Sequence, residues 1–183
     1  MKNMIIIMGS PHTNGNVARA VDSLIEGVNQ NNVKYIKYEL CKMNIKNCIG
    51  CRKCIDNGGR CVLKDDMHEV FEQIKSADIV VIASPIYICQ VNGFTKTFLD
   101  RLYPLTDRWH KPRFGKRDLI MLYTYGAPVP FLFRRYMRQT GKALKAMGLK
   151  LKKTIILQGC TSIDKTKNNE KRLKKLRYIG SKL

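Results

Sequence analysis

"DIVVIASPIYICQVNG" spans residues 78–93, and its first half sets the architecture. Asp78-Ile-Val-Val-Ile-Ala83 is β-branched and apolar at every second position on both faces. A strand that hides both faces belongs in the middle of a parallel sheet with helices above and below. Shorter apolar runs on either side repeat the theme. Met4–Met8 reads as a first strand, Val33–Leu40 as a second with Val33, Tyr35 and Tyr38 on its apolar face, Leu119–Tyr123 as a fourth and Lys153–Gln158 as a fifth.

Helical spacing fills the intervals. Val17, Ala20, Val21, Leu24, Ile25 and Val28 make one stripe; Met67, Val70, Phe71 and Ile74 make another behind Asp65-Asp66. Asn92–Leu102, Pro130–Met147 and a basic stretch from Asn168 to Tyr178 complete the set. Five strands alternating with helices predict one doubly wound α/β domain over residues 1–183. Such sheets bind ligands outside the carboxyl ends of their strands.

Composition narrows the function classes. The 183 residues carry 34 Lys and Arg against 14 Asp and Glu, a net charge of +20, concentrated in Arg134–Lys153 and Lys165–Lys182. No nucleic-acid recognition motif accompanies this charge, so it is read as solvated lysine-rich surface; a basic nucleic-acid-binding module is the alternative of another class. No apolar run approaches the ~18 residues that span a bilayer. Met1-Lys2-Asn3 leads straight into an apolar run of five, too short for a signal-peptide core, which predicts a cytoplasmic protein.

The loop after the first strand, Gly9-Ser-Pro-His-Thr-Asn-Gly-Asn16, is neither a P-loop nor a G-x-G-x-x-G fingerprint. It offers small hydroxyl and amide side chains and backbone N–H groups at a helix N-terminus, the neutral donors that cradle a phosphate. No Lys or Arg falls between residues 3 and 18. An ordinary turn capped by Asn14 or Asn16 is the plainer reading, with His12 facing solvent. After the third strand, Ser84–Gly93 reads as a loop whose backbone and Tyr87 face could meet a planar heterocycle; the plainer reading packs Tyr87 and Ile88 into the core. Cys89 reads as a small buried or half-buried apolar residue, and Cys41 and Cys160 as core.

Four of the seven cysteines, Cys48, Cys51, Cys54 and Cys61, fall within fourteen residues in the pattern C-x2-C-x2-C-x6-C. Structural zinc sites present two separated C-x2-C pairs, whereas three thiols crowded into seven residues suit three corners of an iron–sulfur cubane. Gly50, Gly58 and Gly59 would relieve the strain of wrapping, and Arg52, Lys53 and Arg60 would offset thiolate charge. A cluster, zinc and a metal-free loop all remain open on spacing alone.

"GSPHTNGN" at 9–16, "CIGCRKC…GGRCVLKDDM" at 48–67 and "SPIYICQVNGFTKTFLDR" at 84–101 together resemble the NADPH-dependent FMN reductase superfamily of flavodoxin-like proteins, in its iron–sulfur flavoprotein branch. The resemblance covers roughly the first 105 residues; beyond them it rests on strand–helix order and on Thr124-Tyr-Gly-Ala-Pro128. It implies a flavodoxin-like, five-stranded parallel sheet in the order 2-1-3-4-5. It implies FMN, with phosphate on Ser10, Thr13, Asn14, Gly15 and Asn16 and Val17 opening the helix beneath. The ring would lie along Pro85, Ile86, Tyr87 and Ile88, with Asn92 and Gly93 closing the pocket and Tyr125 and Gly126 on the third loop. Cys61 would complete a [4Fe–4S] cluster with Cys48, Cys51 and Cys54. The resemblance further implies a homodimer or homotetramer and an electron partner such as NAD(P)H or ferredoxin. A cluster-free NAD(P)H-dependent FMN or quinone reductase is the alternative enzyme. No catalytic acid–base or nucleophilic residue is assigned, and Asp100 and Arg101 are read as a structural ion pair.

Overall fold

A computed structural model describes residues 1–129 and 131–183. The buried run at the chain's centre does become the central strand. Strand β3 (Ile79–Tyr87) lies between β1 (Lys2–Met8) and β5 (Arg117–Thr124), with β2 (Val33–Glu39) beyond β1 and β6 (Leu149–Leu157) beyond β5, all parallel. The order β2-β1-β3-β5-β6 is the expected flavodoxin-like order once the extra strand is set aside. That extra strand, β4 (Gln90–Val91), is two residues long and pairs antiparallel with the end of β3, so the sheet has six strands rather than five.

Strand alternation sorts the core into two halves. Ile5, Ile7, Val80, Ile82, Leu119, Met121 and Tyr123 face one way, against α3 (Met67–Ser76), α4 (Gly93–Asp100) and α5 (Arg134–Leu144). Met4, Ile6, Met8, Val81, Ile120 and Leu122 face the other, against α1 (Asn16–Val28) and α6 (Glu170–Gly180). Each such side chain contributes about 1.5–3 kcal/mol on burial, which is why a strand apolar on both faces commits the chain to two helical layers. A single-turn helix, α2 (Lys53–Asp56), interrupts the cysteine segment.

Three expectations need correction. β3 continues through Ser84-Pro-Ile-Tyr87, so the expected loop is strand and hairpin. In β2 only Tyr38 is buried, while Tyr35 and Ile36 are exposed, because β2 is the sheet's edge. The helix expected over Pro130–Met147 is α5, Arg134–Leu144; its expected first residue, Pro130, lies outside the described residues. The basic C-terminal stretch is a helix docked on α1, with Leu176 and Ile179 in the core. Among the described residues no helix is long and apolar enough to cross a membrane.

Candidate functional site

The carboxyl ends of four strands converge on a cleft of about 300 Å³. The loop from β1 to α1 contributes Ser10, His12, Gly15, Asn16 and Val17; the end of β3 contributes Pro85, Ile86 and Tyr87; the end of β5 and the loop beyond it contribute Thr124, Tyr125 and Gly126. A fourth wall, Cys160–Ile163 after β6, has no counterpart in the sequence reading. It is tied in from two directions. Asn16 donates through Nδ2 to the Ser162 carbonyl (2.6 Å) and accepts through Oδ1 from the Thr166 N–H (2.7 Å). Cys160 N–H donates to the Tyr125 carbonyl (2.9 Å) and Gly159 N–H to that of Ala127 (2.9 Å). The Asn16 side-chain amide, expected on a ligand, is therefore committed to holding this wall, and its backbone N–H is what faces helix entry.

The N-cap of α1 is Gly15, not Asn14 or Asn16, so no side chain caps the helix. Its first-turn N–H groups and the macrodipole therefore meet the cleft directly, the arrangement that favours an anion. Ser10 is buried, its Oγ in hydrogen-bond contact with the His12 N–H (3.1 Å). Among the described residues no Lys, Arg, Asp or Glu lines the cleft. Thr13 and Asn14 are exposed on the loop and do not line it.

A buried polar knot fixes the geometry. Asn92 donates through Nδ2 to the Gly9 carbonyl (2.6 Å) and caps α4 by accepting from the Thr95 N–H (3.2 Å). The Thr95 hydroxyl lies 2.7 Å from Asn92 Oδ1 and 2.8 Å from Ser84 Oγ. A Cβ on Gly9 would sit 1.8 Å from Thr95 Oγ1, so only glycine lets β1 end this close to α4. Asn92 is thus a strut between two loops. With Gly93 it borders a second, mostly apolar pocket of about 430 Å³, walled by Pro11, Leu40, Met43, Ile45, Phe94 and Thr97 and sharing Tyr87 with the first cleft.

Tyr87 is 48% exposed and Ile88 96% exposed, so neither packs into the core. Ile88 and Cys89 form the hairpin tip with φ of +45° and +64°. A β-branched residue at positive φ is a strained backbone position. Cys89 is exposed, contrary to expectation, and the half-buried Cys160 packs against the core as expected and also lines the cleft.

The cysteine segment leads on from that second pocket, with Thr97 Oγ1 bonded to Asn47 Oδ1 (2.9 Å) at its entry. Gly50, Gly58 and Gly59 all take positive φ, as does Arg52. Gly59 packs so closely that an added Cβ would lie 2.7 Å from the Pro104 carbonyl. Cys48 and Cys51 are exposed; Cys54 and Cys61 are half-buried; every cysteine is free. Burial pushes the Cys54 thiol up, and the charges of Cys61, Cys51 and Cys48 push it further. Among the described residues no three His, Cys, Asp or Glu side chains converge to metal-binding distance. The donor set, four unpaired thiols on a glycine-jointed loop, fits a thiolate-bound cluster in kind.

The Asp100–Arg101 pair expected from sequence does not form. Asp100 accepts from Lys96 (2.5 Å). Arg101 turns inward and grips Asp65 with both Nη atoms, at 2.5 and 3.0 Å, the two side chains 1% and 0% exposed. Asp65 Oδ2 also accepts from the Lys46 N–H (2.9 Å), and Oδ1 from the Met67 N–H (3.2 Å). Burial alone would raise this carboxyl, but the bonds from Arg101 and the two amides outweigh it and hold it below its ordinary range.

The family model for NADPH-dependent FMN reductases matches residues 2–150. An iron–sulfur flavoprotein of Archaeoglobus fulgidus is 31% identical over 144 residues, which are 78% of this chain and 62% of that protein. One from Methanocaldococcus jannaschii is 30% identical over 102 residues, 56% of this chain and 52% of that one. The chain thus spans between about half and three-fifths of these two relatives' length. Among solved structures, the NAD(P)H:quinone oxidoreductase from Methanothermobacter marburgensis superposes with a TM-score of 0.78 at 19% identity, over 98% of this chain and 96% of that one. An FMN-dependent NADH-azoreductase from Bacillus anthracis, in complex with FMN, gives 0.69 at 15% identity over 100% and 99%. At such identities the superpositions speak for the fold.

Proposed function

The chain belongs to the NADPH-dependent FMN reductase family, and from that premise we propose that it is an FMN-dependent oxidoreductase carrying a [4Fe–4S] cluster on Cys48, Cys51, Cys54 and Cys61. The observation that carries the flavin half is the cleft at the carboxyl ends of β1, β3, β5 and β6, uncharged but opening on an uncapped helix N-terminus. A phosphomonoester held there meets Ser10 and the amides of Gly15, Asn16 and Val17, with Thr13 and Asn14 at the rim. Pro85, Ile86, Tyr87, Tyr125 and Gly126 flank the place of the ring, and Ile88 stands outside it at the hairpin tip. Asn92 and Gly93 shape the wall from behind. What supports the cluster half is the donor set and the names of the relatives.

Bound together, the two groups would supply exchange between one-electron and two-electron carriers. The chain's own work is then positional. The helix dipole and loop amides fix the phosphate, the polar knot of Asn92, Thr95 and Ser84 holds the ring's wall rigid, and Tyr87 borders both the cleft and the pocket that leads towards the cysteines. No side chain is required to take a proton, so none is assigned as catalytic. NAD(P)H or ferredoxin is the donor class on this reading. The exposed Tyr87 beside the cleft, Ile88 at the hairpin tip and Phe94 in the wall of the second pocket are the surface that a second copy in a homodimer or homotetramer would cover.

The test is an absorption spectrum of protein purified without oxygen, with FMN, iron and sulfide assayed on one sample. About four irons and one FMN per chain are expected of a four-thiolate cubane. FMN without iron would leave a cluster-free NAD(P)H-dependent reductase, and neither would overturn both halves.

The fourth wall gives a sharper expectation. Asn16→Ala removes two hydrogen bonds that fasten residues 162 and 166 to α1. At about 0.5–1.5 kcal/mol each, their loss should weaken FMN binding roughly tenfold. Fluorescence titration of the apoprotein with FMN measures it, and an unchanged Kd would remove this wall from the site.

A further inference from the structure

The Arg101 guanidinium has five N–H donors, and four of them are accounted for. Nη1 donates to Asp65 Oδ2 and to the Lys46 carbonyl (2.7 Å); Nη2 donates to Asp65 Oδ1 and to Cys61 Sγ at 3.5 Å. The fifth, on Nε, is buried with no hydrogen-bond partner among the described residues. A buried arginine with one donor on a thiol and another unused is an expensive arrangement for a structural strut alone. The segment's own cations do not substitute for it. Arg52, Lys53 and Arg60 are exposed, and water and salt screen them.

We propose that Arg101 is a positioning residue for the metal–thiolate centre: it fixes the Cys61 sulfur from the protein side and raises the centre's reduction potential. This rests on the cluster reading above. The physical argument concerns charge. Adding one electron to a cluster makes the thiolate-bound group more negative by one unit, and hydrogen bonds to its sulfurs and nearby cations favour that form. The guanidinium touches the sulfur and the carboxylate does not, so the pair presents its positive end to Cys61. Burial makes that contact worth more than the same contact in water. Asp65 orients the fork, as partners behind metal ligands commonly do.

Lysine would not be equivalent, because a single ammonium cannot grip both carboxylate oxygens and reach the sulfur and the Lys46 carbonyl at once. Removing Arg101 alone strands Asp65 in the interior, so the decisive variant is the double substitution Asp65→Asn/Arg101→Gln. It leaves no buried charge, and the one amide oxygen of asparagine keeps an acceptor for either the Lys46 or the Met67 N–H, which in the wild type bond to different carboxylate oxygens.

The experiment is a mediated reductive titration with dithionite, followed by electron paramagnetic resonance. It is run on the wild type, Arg101→Lys and the double variant, with iron, sulfide and FMN assayed on each. The expected result is iron content near wild type in all three. The reduction equilibrium should shift against the reduced form by about tenfold in the double variant, about 59 mV for a one-electron couple, with Arg101→Lys between. Equal iron and an unmoved potential would overturn the role of Arg101 and leave the cluster reading intact. A wild-type protein without iron would overturn the cluster reading and this inference with it, and the iron assay tells the two failures apart.

Discussion

Asp65→Ala should lower the unfolding midpoint by roughly 10 °C, the equivalent of about 3–5 kcal/mol for a buried pair that loses one partner in a chain of this size. The size of the effect comes from what remains behind. Arg101 is 1% exposed and keeps its charge, but its two strongest acceptors vanish. The Lys46 and Met67 N–H groups lose their acceptor at the same time. Asp65→Asn/Arg101→Gln removes both charges together and should recover part of the loss, since no uncompensated buried charge is left behind. The shorter glutamine and the single amide oxygen of asparagine account for what is not recovered. Differential scanning calorimetry on the wild type and both variants measures the two effects. A single variant that melts like the wild type would show that water reaches Arg101.

The same carboxylate gives a pH dependence with a definite sign. Its folded pKa lies below the ordinary carboxylate value, because the bonds from Arg101 and the backbone outweigh the opposing effect of burial. A carboxyl depressed in this way contributes stability that is present above its unfolded pKa, near 3.9, and is lost as pH falls through the lower folded value. Wild-type stability should therefore fall below about pH 4 more steeply than that of Asp65→Asn/Arg101→Gln. Urea midpoints measured at pH 7 and below pH 4 give the comparison.

How far the sequence reads depends on whether a signal is local. The central strand is legible because β-branched residues on both faces admit one environment, and its neighbours follow from topology. Ser10, Gly15, Val17, Pro85, Ile86, Tyr87, Tyr125 and Gly126 line the cleft because strand ends nominate loops. The same rule would have nominated Cys160–Ile163, since β6 lies beside β5 and points the same way, but the sequence there carries no motif. The Asp100–Arg101 reading fails for a reason that was available: adjacent helical residues do not face each other, whereas residues three or four apart do, and Lys96 is the partner that Asp100 takes. The true partner of Arg101 is 36 positions away, and no periodicity announces it. Tyr35 fails because period-2 alternation puts Tyr38 on the opposite face, in the half of the core with α3. Val33 packs on the other half, and Tyr35 beside it is exposed at the sheet's edge.

The C-terminal helix shows how a contact of this distant kind can dominate stability. Gly27→Leu should undock α6 and cost at least ~3 kcal/mol, the buried value of Leu176 and Ile179 taken together. A Cβ on Gly27 would lie 1.9 Å from the Arg177 carbonyl oxygen, and one on Gly180 would lie 2.1 Å from that of Leu24. Both obstacles are backbone, so no rotamer change relieves them; the two helices touch main chain to main chain and must separate if either glycine gains a side chain. Surface pairs do not compensate. Arg177 bridges Glu26 and Glu170, but exposed pairs contribute about 0–1 kcal/mol. The consequence reaches the cleft, because the loop that enters α6 carries Thr166, whose N–H is held by Asn16. Limited proteolysis of Gly27→Leu should therefore cut first among residues 160–182, and FMN should bind more weakly than to the wild type. Gly180→Val should reproduce both effects from the other side of the crossing. Cleavage that begins elsewhere, with FMN affinity unchanged, would show that α6 contributes nothing to the site.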